Sequence, residues 1–304
     1  MKSRALRRVC VSVVTVAALS SVAACGGSDE AGGSGGKNGD RSPAAAAVAV
    51  SPIAALKKVQ TKNDSVHSAK VESTMAMGAA MSMTMSGVMD WSDGMSGDVS
   101  IKYTGGTMGE AMAKMGGDGT MRALYLKDAY YMNMGDAFAS ALGGKHWLRY
   151  AYADLAALTG ASGEAAQNQI KNSTPQEGVK ALLASGDVKK VGEEDVRGVA
   201  TTHYSGVVDV AALTAKSGGL DADQLQELKD QLDKAGLKTE TVDVWVDKDD
   251  LLVKKTERGE SAAGAVNTTI FYSDYGTPVS VRPPAAGDTA DFKEIAGQAA
   301  KAAS

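Results

Sequence analysis

The chain has 304 residues, with 32 basic and 36 acidic side chains for a formal net charge of −4, and only two cysteines. The mild acidity excludes nucleic acid as a partner, and also a basic face docked on anionic lipid, because both need clustered positive charge. Cys10 falls in an apolar leader and Cys25 just after it, so no disulfide or cysteine metal site is left, and a hydrophobic core must hold the fold.

Lys2, Arg4, Arg7 and Arg8 open the chain, followed by an apolar run from Val9 to Leu19 that is too short to span a bilayer. Val22-Ala23-Ala24 then lead to Cys25, the order of a bacterial lipoprotein leader, in which the cysteine sulfur takes a diacylglycerol before cleavage. An anchor of two or three acyl chains is lasting where one is marginal, at about 0.8 kcal/mol per buried methylene. Cleavage before Cys25 leaves 280 residues, and since the leader holds four basic and no acidic residues, 28 basic face 36 acidic for a net −8. The expected organisation is a signal peptide over 1–24, a lipidated cysteine with a flexible Gly/Ser/Ala tether over 25–50, and a single domain with a helical tail over 51–304. A formal G-x-S-x-G match at Gly32–Gly36 lies inside the tether, without the strand and helix that would strain the serine, and is discarded.

The domain opens with a predicted helix from Ile53 to about Val59, introduced by Ser51-Pro52. From Val66 the period is two. Strands are expected at Val66–Met77, Ala80–Trp91, Asp98–Thr104, Met121–Leu126, Ala129–Met134 and His146–Tyr150. Helical material follows at Asp154–Leu158 and Pro175–Ser185. Strands at Val188–Val191 and Val199–Val210 flank the polar turn Glu193-Glu194-Asp195. A helix over Asp221–Ala235 carries Leu225, Leu228, Leu232 and Ala235 at helical spacing, with Asp221 as its cap. Thr241–Val246, Leu251–Glu257 and Val266–Tyr272 close the sheet, with Val242, Val244 and Val246 on one face. Mostly antiparallel strands with a few inserted helices make the class α+β.

Six methionines, Met75, Met77, Met81, Met83, Met85 and Met89, all fall at odd positions of the first hairpin, so each strand turns its own to one face. Three readings stand: a soft apolar cavity wall, plain core filling, or thioether coordination of Cu(I). Met108, Met112 and Met115 have helical spacing and suit a short lid or a loop touching the core. His67, His146 and His203 fall in separate strands with no helical metal-pair spacing. Asp247-Lys248-Asp249-Asp250 lacks the glycine and distal glutamate of an EF-hand loop and reads as a hairpin turn. No nucleophile, base and orienting group assemble from the sequence, so no catalytic residue, metal or cofactor is assigned.

The stretch Asp187-Val188-Lys189-Lys190-Val191-Gly192-Glu193-Glu194-Asp195-Val196-Arg197-Gly198-Val199-Ala200-Thr201-Thr202-His203-Tyr204, then Val244-Trp245-Val246-Asp247-Lys248-Asp249-Asp250-Leu251 and Tyr272-Ser273-Asp274-Tyr275-Gly276-Thr277-Pro278-Val279, resembles actinobacterial lipoproteins of the LppX/LprG type. The resemblance covers about residues 53–284. It implies a LolA-like fold: a strongly curved, mostly antiparallel half-barrel with helices and an apolar cavity on its concave side. It also implies a carrier of acylated lipids in the cell envelope. The expectation is therefore a monomeric lipoprotein, lipid-anchored at Cys25 on the outer face of the cell membrane. Its cargo is a lipid or amphiphile, its ligand-binding residues are Met75, Met77, Met81, Met83, Met85, Ile101 and Tyr103, and an envelope transporter is a further partner. The alternative is an interaction lipoprotein of the same fold with a filled core.

Overall fold

A computed structural model describes residues 51–114, 118–133, 135–140, 142–154, 174–209, 222–234, 236–261 and 264–303. All of them belong to the unit Ala49–Ser304; Cys25 and its leader lie outside the described residues. Twelve strands form one sheet: β1 (Ser68–Met77), β2 (Met81–Asp90), β3 (Ser96–Gly105), β4 (Thr120–Tyr125), β5 (Ala129–Asn133), β6 (Trp147–Ala151), β7 (Lys189–Val196), β8 (Val199–Asp209), β9 (Thr239–Val246), β10 (Leu252–Ser261), β11 (Gly264–Ser273) and β12 (Thr289–Asp291). Their order is β12-β6-β5-β4-β3-β2-β1-β11-β10-β9-β8-β7, and the two ends do not meet. Every pairing is antiparallel except β12 with β6. The α+β class is thus observed, with the parallel edge strand as an addition.

Helix α1 (Pro52–Asp64) begins as its sequence dictates: Pro52 is in the first turn and the Ser51 hydroxyl accepts from the Ala54 N–H at 3.2 Å. Short α2 (Gly106–Lys114) packs on β2 and β3, with Met112 buried and Met108 exposed; Met115 lies outside the described residues. A single turn, α3 (Asp136–Ala139), precedes β6. The helix α4 (Pro175–Ala184) is buried along most of its length and packs against α1 and the strands β8, β9 and β10. In α5 (Ala222–Lys234) Leu225 is buried and Leu228 half-buried, while the expected cap Asp221, the side chain of Leu232, and Ala235 lie outside the described residues. The tail forms α6 (Phe292–Ala303) beside β6 and β12. The expected helix at Asp154–Leu158 is seen only in its first turn, Tyr152–Asp154.

The helix-bearing face of the sheet carries the core. Opposed residues across the ladder share a face, and the row Tyr272, Val71, Gly87, Val99 and Ala123 runs through its centre. Val242, Val244 and Val246 fall on this face and are buried, as their alternation predicts. Their intervening residues Asp243 and Trp245 are buried too, which alternation does not predict. The reason is the β7–β8 hairpin, and here one expectation is corrected. Glu193-Glu194-Asp195 is strand; the turn comes at Arg197-Gly198, with Arg197 in the left-handed region at φ 55°. The longer hairpin folds across the outer face, where Trp245 Nε1 donates to Glu194 and His203 stacks on Trp245 at 4.2 Å. Its tip places the Arg197 guanidinium 3.6 Å from the Phe271 ring and 3.0 Å from Glu72. Five strand steps separate β7 from β1, about 24 Å at 4.8 Å per step if the sheet were flat, so this edge must bend over.

Asn63, which begins a formal glycosylation sequon, is fully buried instead. Its Nδ2 donates to Val59 O at 2.7 Å and Asp250 O at 3.1 Å, joining the end of α1 to the β9–β10 turn. Asn63→Ala is expected to cost about 1–3 kcal/mol by stranding these carbonyls, read as a lower urea midpoint; an unchanged midpoint would show that water replaces the side chain.

Candidate functional site: an apolar hollow and a buried charge cluster

Met75, Met77, Met81, Met83, Met85 and Met89 do share one face, the helix-bearing one. Met75 pairs with Met83 and Met77 with Met81, while Met83 opposes Tyr103 and Met85 opposes Ile101. The seven expected ligand-binding residues nevertheless separate into three settings. Ile101 is buried in the main core. Met75, Met77, Met81, Met83 and Tyr103 are half-buried at the far end of the face. Among the described residues, Met85 lines an apolar cavity together with Val71, Met89, Trp91, Met95, Tyr125 and Thr174.

That cavity is apolar, and its rim is tied by polar bonds. Trp91 Nε1 donates to Val66 O at 2.9 Å, and Gln176 Nε2 donates to Asn63 O at 2.7 Å and Val66 O at 3.3 Å. It encloses about 30 Å3, by the measure in which one water needs about 10–15 Å3. This enclosed volume is far below the roughly 300–1,000 Å3 of small-molecule sites. Beside it a tyrosine cluster stacks Tyr130 on Tyr150 at 4.6 Å, with Tyr125 at 6.0 Å and Tyr152 at 6.1 Å from Tyr130. Burial raises all four hydroxyls above the ordinary phenol value, Tyr152 to about 12. They stay neutral, and the wall stays uncharged. Sequence reasoning missed Val71, Trp91, Met95, Tyr125 and Thr174 as lining residues, while Met89 belongs to the methionine ladder read as a cavity wall. The signal for Trp91 and Met95 was weak, since they flank a tight Ser-Asp-Gly turn that is read from sequence only as a connection.

A second arrangement lies on the same face across β9 and β10. Lys255 is fully buried and its Nζ lies 2.7 Å from Glu257 Oε1. Its stem runs under α4 at Gly178, where an added Cβ would stand 2.3 Å from Lys255 Cδ. Glu240 joins this pair from β9. Burial, and then the charge of Glu257, push its carboxyl up to about 8, against the opposing pull of Lys255. Alternation from Leu252 would place Lys254 and Thr256 inward. A bulge between Leu252 and Lys254 shifts the phase, so Leu252 and Lys255 both point inward while Lys254 lies 3.8 Å over the Trp245 ring outside.

The expected histidine positions are partly corrected: His67 and His146 precede β1 and β6 rather than lying within them. Only His203 is within a strand, its Nε2 2.9 Å from Asp243 Oδ1. Burial pushes the Asp243 carboxyl up, but hydrogen bonds from Ser205 and His203 and the charge of Arg258 outweigh it and hold the carboxyl below the usual range. Among the described residues no three His, Cys, Asp or Glu side chains gather as a metal site.

No family model matches the chain. A Streptomyces griseus protein described as an uncharacterized 31.2 kDa protein of the rplA-rplJ intergenic region is 64% identical over 248 residues, 82% of this chain and 81% of that one. The Streptomyces coelicolor protein named "Putative lipoprotein SCO4650" is 44% identical over 306 residues, 97% of this chain and 98% of its own. Among solved structures, that of the Mycobacterium tuberculosis lipoprotein LppX aligns over 76% of this chain and 97% of its own at 12% identity, with a TM-score of 0.46.

Proposed function

The chain belongs to the family of these two streptomycete proteins, and from that premise we propose that it is a lipid-anchored, extracytoplasmic binding protein that holds an amphiphile in the hollow of its sheet. The relative's name, the basic-apolar leader and Cys25 support the anchor. The apolar cavity at Met85, Met89, Trp91 and Tyr125 carries the binding reading. The role is passive partitioning, not catalysis: an apolar tail enters, and the polar end stays at the mouth or on a polar wall. Loading requires the Trp91–Met95 turn and the Thr174 end of α4 to part, since the closed cavity has room only for about two or three waters.

That small enclosed volume also favours a second reading, an interaction lipoprotein whose core is filled by its own side chains. One experiment separates the two. The mature chain with Cys25→Ser, released from its anchor, is purified under mild conditions from an actinobacterial host and weighed by native mass spectrometry. The carrier reading expects a stoichiometric adduct of acyl-lipid mass, reduced at least tenfold by Met85→Arg. A bare polypeptide mass that persists after incubation with envelope lipids selects the interaction reading. Expressing the full chain beside its Cys25→Ser variant tests the anchor, because only the chain with Cys25 intact should sediment with membranes.

A further inference from the structure

The edge strand β12 is three residues long, pairs with β6 in parallel, and buries one side chain, Ala290. So short a parallel ladder holds weakly by itself. Polar ties surround it. Lys145 Nζ donates to Thr289 O at 2.9 Å, Arg149 Nη1 to Asp291 Oδ2 at 2.9 Å, and Lys293 Nζ to Asp154 Oδ1 at 2.7 Å. A 3-10 turn, Ala286–Asp288, brings Asp288 to His146 just before the strand begins. Asp288 Oδ1 accepts from the His146 main-chain N–H at 2.9 Å and lies 2.7 Å from ring Nδ1. The other ring nitrogen, Nε2, lies 3.4 Å from Asp136 Oδ1 on α3.

Both ring nitrogens therefore face carboxylates from different pieces of chain. A neutral imidazole has one N–H and can donate to only one of them; the imidazolium donates to both and adds opposite charge. Neighbouring cations are turned elsewhere, Lys145 to the Thr289 carbonyl and Arg149 to Asp291 and Asp128. The ring is 39% exposed and so takes its protons from the medium. The hydrogen bond to Asp288, the Asp288 charge and then the Asp136 charge raise its pKa above the ordinary histidine value. After β12 the chain enters α6, where the Phe292 ring lies 4.8 Å from Tyr150. Tyr150 opposes Tyr130, and Tyr130 opposes Tyr125 on the wall of the hollow.

We propose that segment 286–303 is a strap whose closure is set by protonation of His146. It is closed over Tyr150 while the imidazolium bridges Asp288 and Asp136, and it loosens from the β6 edge when the ring is neutral. Because the folded value is the raised one, the tie is complete below the ordinary histidine value and is lost as pH rises through the raised one. The strap stands whether or not the hollow holds a ligand.

The test is amide hydrogen exchange of the mature chain with Cys25→Ser between about pH 6 and pH 8.5, bracketing the ordinary histidine value and the range above it. Rates are corrected for the intrinsic effect of pH, and residues 286–292 are compared with β3. Opening of the strap relative to β3 is expected to rise at least about threefold across this range. Its midpoint is expected to coincide with that of the His146 ring, followed by NMR in the same protein, so this readout needs no variant to fold. His146→Gln keeps a donor but cannot titrate, and is expected to flatten the profile. Strap opening that ignores pH, a midpoint apart from that of His146, or a profile that survives His146→Gln overturns the proposal.

Discussion

Gly87→Val is expected to cost about 3 kcal/mol of stability or more, with loss of the β2–β3 register. Gly87 lies in the middle of β2, opposite Val71 on one side and Val99 on the other. A Cβ built there stands 2.2 Å from the Asp98 carbonyl oxygen and 2.7 Å from Val99 Cα. Both are main-chain atoms of a strand held on its other side by β4, so neither can turn aside as a side chain can. The row is also the centre of the core, where Val71, Val99 and Ala123 are all buried. Urea unfolding of the mature chain with Cys25→Ser is the measurement. Gly192→Ala, at a position with open space around it, is the matched control, expected within about 0.5 kcal/mol of the parent. A Gly87→Val midpoint equal to that of the control would mean that β2 and β3 do not pack as closely as described.

Glu240→Gln is expected to stabilise the fold in a way that depends on pH, and the sign follows from the direction of the shift. The folded protein holds the Glu240 proton up to about pH 8, through burial and the neighbouring Glu257 charge, whereas the unfolded chain releases it near the ordinary carboxyl value. Below about pH 4 both states are protonated and the carboxyl contributes nothing. As pH rises from there to 8 the folded state binds the extra proton and stability falls; above 8 the full cost is present. The groups that set this are Glu257 and Lys255 on β10. On β8 the residue opposite Glu240 is the apolar Val208, and on α4 the charges Glu177 and Lys180 pair with each other at 2.8 Å. Glutamine removes the cost, so the gain in stability is expected near zero at pH 4 and on the order of a few kcal/mol at pH 9. Thermal unfolding at a series of pH values reads it. A gain that is flat with pH, or a loss at pH 9, would sink the account, the latter by making Glu240 a necessary partner of Lys255.

The sequence by itself determined the class and the faces. Period-two runs placed nearly every strand because half of each strand faces a core, and burial forces apolar residues to alternate. Ser51-Pro52 and Pro175 set helix starts through local chemistry that needs no tertiary partner. The odd-numbered methionines share a face for the same reason of period. Three things were decided only by tertiary structure. The β10 bulge changes the phase of inward residues, so Lys255 and Glu257 take the helix-bearing face where alternation from Leu252 would put Lys254 and Thr256. The β7–β8 hairpin folded over the outer face and buried Asp243 and Trp245 by contacts remote in sequence. The cavity formed where β1, β2 and β4 meet the Trp91–Met95 turn and the start of α4, five separate pieces of chain. Alternation reports which side of a strand is covered, but not what covers it, and a cavity is the space that the covering pieces leave between them.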